Sequence, residues 1–213
     1  MNLSRTLRAR TLSDDGLSLL EVIVAVALVT IVMTASATLC LTGIATASAQ
    51  ERRQVAVTVA SGTMETVGAQ SVARNAATGV SGLYTGRNAT AVSAAWVANA
   101  SVVGIAQTYA MSDPTATISS VPAIPITSTT TQAGTTYTVQ TLIGPCYEPK
   151  SGGDCVVVSG ATASVTPSGY TPLIRVIVLV TWTAGNSCAA SGCSYTTSSL
   201  VDPNSDLGWL TNG

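Results

Sequence analysis

The side chains that could carry out chemistry in this 213-residue chain are few, and the most versatile of them is missing. The chain has no histidine, 10 Asp and Glu residues, and 9 Lys and Arg residues. Without histidine there is no Ser-His-Asp or Cys-His nucleophile, no histidine-bearing zinc site and no general base near neutral pH. The net charge of −1 also disfavours nucleic-acid binding, which needs a clustered basic surface. We therefore expect a structural or binding protein with no catalytic residue, metal or cofactor.

Cysteines are the remaining reactive groups. Four of them, Cys146, Cys155, Cys188 and Cys193, follow a long apolar segment, and this even number predicts two disulfides in an oxidising compartment. Four cysteines allow three connectivities. We favour Cys146–Cys155 and Cys188–Cys193, because each pair brackets a glycine-containing turn between candidate strands. The C-x8-C and C-x4-C spacings, without histidine, disfavour a zinc site. The fifth cysteine, Cys40, is interpreted as a small apolar residue.

One carboxylate stands at the start of the apolar segment. Residues Val22–Ile44 carry no charge over 23 positions, and about 20 apolar residues suffice for a helix to cross a bilayer. Glu21 directly precedes this run, where a carboxylate costs about 2.5–3.5 kcal/mol near the bilayer centre and less near the interface. Basic residues lie before the segment, at Arg5, Arg8 and Arg10. The positive-inside rule therefore predicts a cytoplasmic N-terminus and an external remainder.

The residues around Glu21 form a recognisable pattern, Asp15-Gly16-Leu17-Ser18-Leu19-Leu20-Glu21-Val22. This resembles the type IV prepilin signal, in which a short leader ends in Gly, a large apolar residue follows, and a Glu comes four positions later. The resemblance is specific from Gly16 to about Ala49. It implies cleavage between Gly16 and Leu17 by a prepilin peptidase and N-methylation of the new amine on Leu17. It also implies that Glu21 pairs with that amine, in its own chain or in a neighbouring subunit, during assembly.

Some features depart from the commoner pilin pattern. Asp14 and Asp15 precede the cut where many leaders are basic, Leu17 replaces the commoner Phe, and no proline interrupts the apolar segment. The missing proline, together with the long remainder of low charge, favours a minor pilin or pseudopilin over a major subunit. The resemblance implies four partners: the prepilin peptidase, other pilin subunits, the assembly machinery and the membrane. It also implies a single-pass membrane protein that later enters a cell-surface filament.

A second processing site competes with the first. Ala47-Ser48-Ala49 fits the small-x-small pattern of a secretory signal peptide, and cleavage there would leave a protein beginning at Gln50. The preceding region would be longer than the usual 15–30 residues of such a signal. The alternative function is therefore a secreted or membrane-tethered extracellular binding domain, for which the apolar segment serves only as signal or anchor.

The elements that position these residues suggest an α+β fold with a pilin-like layout. Beyond the apolar segment an amphipathic helix is expected to about Arg74, with Val57, Ala60, Met64 and Val67 along its apolar face. Strand signals that follow one long helix indicate an antiparallel sheet. The predicted divisions are a leader, an assembly helix, its amphipathic continuation, a variable segment and a sheet region: 1–16, 17–49, 50–74, 75–134 and 135–213.

Within the last two divisions the pattern is less uniform. A short helix is possible over Ala91–Ala110, and three prolines followed by Thr127–Thr131 indicate extended or loop structure. Strands are predicted at four places along the rest of the chain: Thr135–Ile143, Val156–Val158, Leu173–Trp182 and Tyr195–Val201.

Two further motifs are similar to a glycosylation site and to a calcium-binding loop. Asn88-Ala-Thr90 and Asn99-Ala-Ser101 fit the N-glycosylation sequon, which chance also produces in a chain rich in Ser and Thr. The oxygen-bearing side chains from Asp202 to Asp206, before Gly208, are similar to the start of a calcium loop. The glycine is one position late for an EF-hand, so the interpretation as a simple turn is favoured.

Overall fold

A computed structural model describes residues 18–70, 81–183, 188 and 192–203. The chain divides into two units, Met1–Ser48 and Ala49–Gly213. The division falls one residue before the predicted end of the assembly helix at position 49. The elements are a long helix α1, a short 3-10 turn, a second helix α2 and four strands β1 to β4, with these bounds: Leu19–Gly68, Gly82–Tyr84, Ala89–Ala98, Thr127–Gln132, Thr135–Pro149, Tyr170–Trp182 and Cys193–Val201.

The four strands form one antiparallel sheet in the order β1-β2-β3-β4, so each strand pairs with its neighbour in sequence. The structure therefore has the predicted α+β architecture, with a long N-terminal helix and an antiparallel sheet. Strand β3 pairs with β2 along its whole length, from Tyr137 opposite Trp182 to Pro149 opposite Tyr170. Both are longer than predicted, because their ends pair with each other beyond the apolar stretches that are visible in the sequence.

Strand β1 comes from the threonine run, for which the sequence predicts extended or loop structure. A two-residue turn at Ala133 and Gly134, with φ values of 47° and 73°, joins it to β2. Positive φ at both positions is typical of the type I′ turn, whose twist matches that of paired strands. The sequence lacks the usual Asn-Gly signal for this turn, which is why the hairpin was not predicted.

The C-terminal part of α1 covers one face of the sheet. Its buried residues are Ala56, Ala60 and Val67, and they pack with side chains of β2 and β3. Of the predicted apolar face, Ala60 and Val67 are buried and Met64 packs half-buried against the core, whereas Val57 remains 37% exposed and Ala56 is buried in its place. The helix also ends at Gly68, six residues before the predicted end. The sheet residues in this core are Tyr137, Val139, Ile143, Ile174, Val176, Val178, Val180 and Trp182.

A smaller core lies on the opposite face of the sheet. Ala95 of α2 and Ile105 pack there with Leu142 of β2 and Ile177 of β3. The predicted helix over Ala91–Ala110 was too long, since α2 ends at Ala98 and the chain continues in turns. Polar caps determine these limits, because side chains at helix ends satisfy main-chain groups that the helix leaves unpaired.

The caps of α2 are the asparagines of the two sequons. The side-chain oxygen of Asn88 accepts a hydrogen bond from the Ala91 N–H at 2.9 Å. The side-chain amide of Asn99 donates to the Ala95 carbonyl at 2.7 Å, and Asn99 is buried. The Asn99 amide is therefore engaged inside the folded unit. The sequon interpretation of Asn99 conflicts with this burial.

A buried polar cluster attaches the segment before β1 to the sheet. The guanidinium of Arg87 donates to the Ile124 carbonyl at 3.1 Å and to the Thr141 carbonyl at 2.7 Å. Next to it, Asp113 accepts hydrogen bonds from the Gly86 N–H and from the Thr115 main chain and hydroxyl, each at 2.7–2.9 Å. Polar groups in this position need such partners, because burial removes their water.

Gly144 of β2 provides a first test of this packing. A Cβ added there would overlap the Tyr109 carbonyl oxygen and approach Thr108 Cγ2 to 2.9 Å. We predict that Gly144→Ala lowers the free energy of unfolding by about 1–3 kcal/mol, the usual cost of overpacking. Urea denaturation of the full chain in detergent micelles, followed by tryptophan fluorescence, measures this.

The matched control is Gly62→Ala in α1, where an added Cβ meets nothing within 4 Å. Because alanine favours helix, this variant should be more stable by about 0.5–1 kcal/mol. Equal effects of the two substitutions would show that the close contact at Gly144 does not determine stability.

A second test concerns Asp113. Hydrogen bonds from Thr115 and from the Gly86 main chain lower the pKa of the Asp113 carboxyl in the folded chain. A lowered folded-state pKa stabilises the fold above the ordinary carboxyl pKa of about 3.9, and that stabilisation is lost as the pH falls through the folded value. We therefore predict that Asp113→Asn destabilises the chain at pH 7 and that its difference from the unsubstituted chain shrinks below about pH 4.

The measurement is the urea midpoint as a function of pH for both chains. Glu65→Gln, which changes an exposed carboxylate of α1, serves as control and should show no such convergence. A constant difference between the Asp113→Asn variant and the unsubstituted chain from pH 7 to pH 3 would contradict the prediction.

Candidate functional site

The candidate site begins at the N-terminus of α1. Gly16 and Leu17, the predicted cleavage and methylation positions, lie outside the described residues. Ser18 precedes the helix, and its hydroxyl oxygen accepts a hydrogen bond from the Glu21 N–H at 3.2 Å. The Ser18 carbonyl accepts from the same N–H at 2.9 Å. Ser18 is therefore an N-cap, and Glu21 occupies the third helical position, where the helix dipole favours a carboxylate.

Sequence reasoning missed this cap, although its signal was present. Ser-x-x-Glu before an apolar run is the capping-box pattern, and Ser18 and Glu21 have that spacing. The cap involves the main chain of Glu21, whereas the assembly role that the resemblance implies would involve its carboxylate. The carboxylate therefore lies in the first turn of the helix, one residue before the charge-free run begins at Val22.

The first half of α1 is an exposed apolar surface. Every residue from position 18 to 47 is exposed, and among the large side chains Leu19 is 80% exposed and Leu39 is 76% exposed. Such a surface is unfavourable in water, because apolar area left exposed forgoes about 25 cal/mol per Å² of burial. By length and composition α1 could cross a membrane, and it is the only such helix among the described residues.

Threonines form a regular row along this apolar half. They recur every four residues, and each hydroxyl donates to the main-chain carbonyl four positions earlier. From the second threonine onward, that carbonyl belongs to the preceding threonine of the row. Because every one of these hydroxyls is satisfied within the helix, they impose little cost in an apolar surrounding. The row consists of Thr30, Thr34, Thr38, Thr42 and Thr46.

The cysteines lie where the sequence suggested. Cys40 is exposed on the apolar half of α1 and forms no disulfide. Disulfides join Cys146 to Cys155 and Cys188 to Cys193, with Cα–Cα distances of 5.4 Å and 5.2 Å. These are the two pairings that we favoured among the three possible. The first closes a loop at the end of β2, and the second lies at the beginning of β4.

Two tyrosines hold the segment that follows the first disulfide. The Tyr109 hydroxyl bonds both main-chain groups of Val158, at 2.8 Å and 3.0 Å, and its ring packs edge-on to Tyr147. The Tyr147 hydroxyl donates to the Thr162 carbonyl at 2.6 Å. The predicted strand at Val156–Val158 was wrong, because only an isolated bridge between Tyr147 and Val156 forms. This segment is therefore held by side-chain hydrogen bonds next to the cross-link, not by a strand.

Arg175 is a further, half-buried anchor that sequence reasoning missed. It lies inside the apolar run of β3, and its guanidinium donates to the carbonyls of Gly104 at 3.2 Å and Cys155 at 2.7 Å. Burial lowers the pKa of Arg175, while the nearby Asp154 carboxylate raises it. The sequence signal for this anchor was a single charged residue within an apolar predicted strand. The guanidinium links the segment after α2 with the disulfide loop.

Among the described residues, no group of three or more His, Cys, Asp or Glu side chains could hold a metal ion. Of the candidate calcium motif Asp202–Gly208, only Asp202 and Pro203 are described. The remaining oxygen donors lie outside the described residues, so the motif stays a sequence prediction.

The Cys146–Cys155 cross-link gives a prediction on stability. We expect Cys146→Ser combined with Cys155→Ser to lower the free energy of unfolding by about 2–3 kcal/mol. Without the cross-link, the unfolded chain is no longer restricted by a closed loop of about 10 residues and gains conformational entropy. Urea denaturation of the full chain in micelles measures the loss. Cys40→Ser, which removes an unpaired thiol, is the control and should leave the stability unchanged. An unchanged midpoint in the double variant would contradict the prediction.

Comparison with known proteins adds no identification: no protein family, no curated protein and no solved structure matches this chain.

Proposed function

We propose that this protein is a subunit of a type IV pilus or a related pseudopilus, most simply a minor pilin. It is processed after Gly16 by a prepilin peptidase and assembles through the apolar half of α1. In this proposal it is a single-pass membrane protein before assembly, with its N-terminus in the cytoplasm and its folded unit outside. Other pilin subunits and the assembly machinery then draw it into a cell-surface filament.

The observation that supports the proposal most is the exposed apolar half of α1. A helical surface of this kind needs an apolar surrounding, and a lipid bilayer or the helices of neighbouring subunits would provide one. A subunit that moves from membrane to filament needs a helix compatible with both surroundings. The internally bonded threonine row meets this need, because its hydroxyls require no partner from outside the helix.

Glu21 supports the same proposal through its charge. Cleavage after Gly16 would create a positive amine at Leu17, and N-methylation would keep that charge. A carboxylate at the start of a membrane-spanning helix is costly until an opposite charge approaches it. An amine on the same chain or on a neighbouring subunit would supply that charge. Uncut chains would lack it, so assembly would depend on processing.

One observation favours the alternative, a secreted or tethered binding domain. The chain divides between Ser48 and Ala49, and the competing cleavage pattern Ala47-Ser48-Ala49 spans this division. Cleavage there would release the second unit almost intact, beginning at Gln50. The two candidates therefore differ in the N-terminal residue of the mature protein, which is directly measurable.

The first experiment identifies the N-terminus and intact mass of protein recovered from envelopes of cells with an active prepilin peptidase. We expect N-methyl-Leu17, and Gly16→Val should block the cut because the peptidase needs an unhindered backbone there. Gly43→Val, a same-type change inside the helix, is the control and should leave processing intact. A mature protein that begins at Gln50 would reject the pilin proposal in favour of the secreted domain.

The second experiment separates processing from assembly. Glu21→Gln should be cut normally, yet its content in sheared filaments should fall severalfold, because the amine loses its counter-charge. Glu51→Gln, which changes an exposed carboxylate beyond the apolar half of the same helix, should enter filaments normally. Normal incorporation of the Glu21→Gln chain would remove charge pairing from the proposal.

A further inference from the structure

Strand β1 forms one edge of the sheet. It pairs with β2 on one side, and no described strand pairs with its other side. Five of its six residues are exposed. An edge strand presents main-chain N–H and C=O groups that can pair with another chain. The edge is therefore able to accept an additional strand.

The register determines which groups point outward. The Thr141 N–H donates to the Ile126 carbonyl at 2.9 Å, and Gln132 lies opposite Thr135 next to the turn. In an antiparallel pair the residues that exchange hydrogen bonds alternate along the strand. Even-numbered residues of β1 therefore bond to β2, and the odd-numbered residues direct their main-chain groups to the free side. The odd-numbered residues are Thr127, Thr129 and Thr131.

This edge lacks the usual protection against pairing. Natural edge strands commonly carry charged residues, proline or bulges, whereas β1 reads Thr-Ser-Thr-Thr-Thr-Gln and pairs with β2 without interruption. A groove of about 390 Å³ flanks it on the α1 side and one of about 630 Å³ on the α2 side, and neither is lined by a charged residue. The occupant that fits is therefore an uncharged strand.

The structure contains such a strand, which is β1 itself. We propose that β1 pairs antiparallel with β1 of a second copy, about a two-fold axis at Thr129. Thr129 then lies opposite its own counterpart, and Thr127 lies opposite Thr131 of the second copy. All three outward-facing residues meet outward-facing partners, so their hydrogen bonds are satisfied in both directions. The facing side chains are threonines, which form favourable cross-strand pairs without charge repulsion.

This pairing concerns the folded unit alone, and it does not depend on the proposed pilin function. The contact is isologous, because the same strand serves both copies, and it joins two sheets into one of twice the width. The interaction uses β-strand addition, in which main-chain hydrogen bonds supply the affinity.

Cysteine cross-linking tests the register. In a full-length Cys40→Ala background, Thr129→Cys should form a cross-linked dimer rapidly on mild oxidation, because hydrogen-bonded partners lie about 5.5 Å apart between Cα atoms, within disulfide range. Thr131→Cys alone should cross-link severalfold more slowly, because its own counterpart is four residues away, about 13 Å along the strand. Mixing the Thr127→Cys and Thr131→Cys chains should restore rapid cross-linking.

A second variant tests the contact without cysteines. Thr129→Lys would place two like charges opposite each other on the axis and should reduce the dimer fraction severalfold in sedimentation of the micelle-solubilised chain. Thr129→Val keeps the shape and leaves the outward main-chain groups in place, so it should dimerise as the unsubstituted chain does. Equal cross-linking at positions 129 and 131, absence of the Thr129→Cys dimer, or no effect of Thr129→Lys would overturn the proposal.

Discussion

The folded unit depends on one buried positive charge. The Arg87 side chain has no solvent exposure, and its hydrogen bonds go to the main-chain carbonyls of Ile124 and Thr141. Burial lowers the pKa of Arg87 to about 10, so the side chain remains charged at neutral pH. A buried charge that loses its partners costs several kcal/mol. The loop before β1 and the strand β2 must therefore keep those two carbonyls in place.

Further contacts hold the turn and the loop next to Arg87 in place. Arg87 follows Gly86, whose φ of 76° and close approach to the Val121 carbonyl leave no space for a side chain. Asp113 binds the Gly86 N–H from the other side, and the Ala123 N–H donates to the Thr85 carbonyl at 3.1 Å. The turn, the loop and β2 are thus joined by polar contacts in addition to the apolar packing of Leu83, Tyr84 and Ile124. The smaller core under α2 completes the same attachment.

The two halves of the long helix α1 present different side chains. Beyond Glu21, its apolar half presents only apolar side chains and hydroxyls that bond within the helix. Its second half buries small residues, Ala56 and Ala60, which allow the helix to approach the sheet closely. The two proposals use different parts of the chain, the apolar half of α1 and the edge strand β1. Either can fail without the other, because one depends on an apolar surface and the other on main-chain hydrogen bonds.

Much of the local structure was predictable from the sequence by itself. The charge-free run after Glu21, the apolar stretch of β3 and the cysteine pairs all depend on residue type and spacing within a short segment. The predicted α+β class and the two favoured disulfide pairings therefore agree with the structure. The Ser18 cap was also visible as a motif, because Ser18 and Glu21 have the capping-box spacing.

Other features were decided only by the tertiary structure, because their partners are distant in sequence. The threonines of β1 do not alternate with apolar residues, so the sequence carries no strand pattern there. They form a strand because the Ala133-Gly134 turn brings them beside β2, which supplies their hydrogen bonds. The burial of Ala56 in place of Val57 reflects the rotation of the helix on the sheet. The burial of Arg87 depends on a carbonyl 54 positions away in the chain. Periodicity reports which residues avoid water, whereas the identity of each contact is set by how the elements pack.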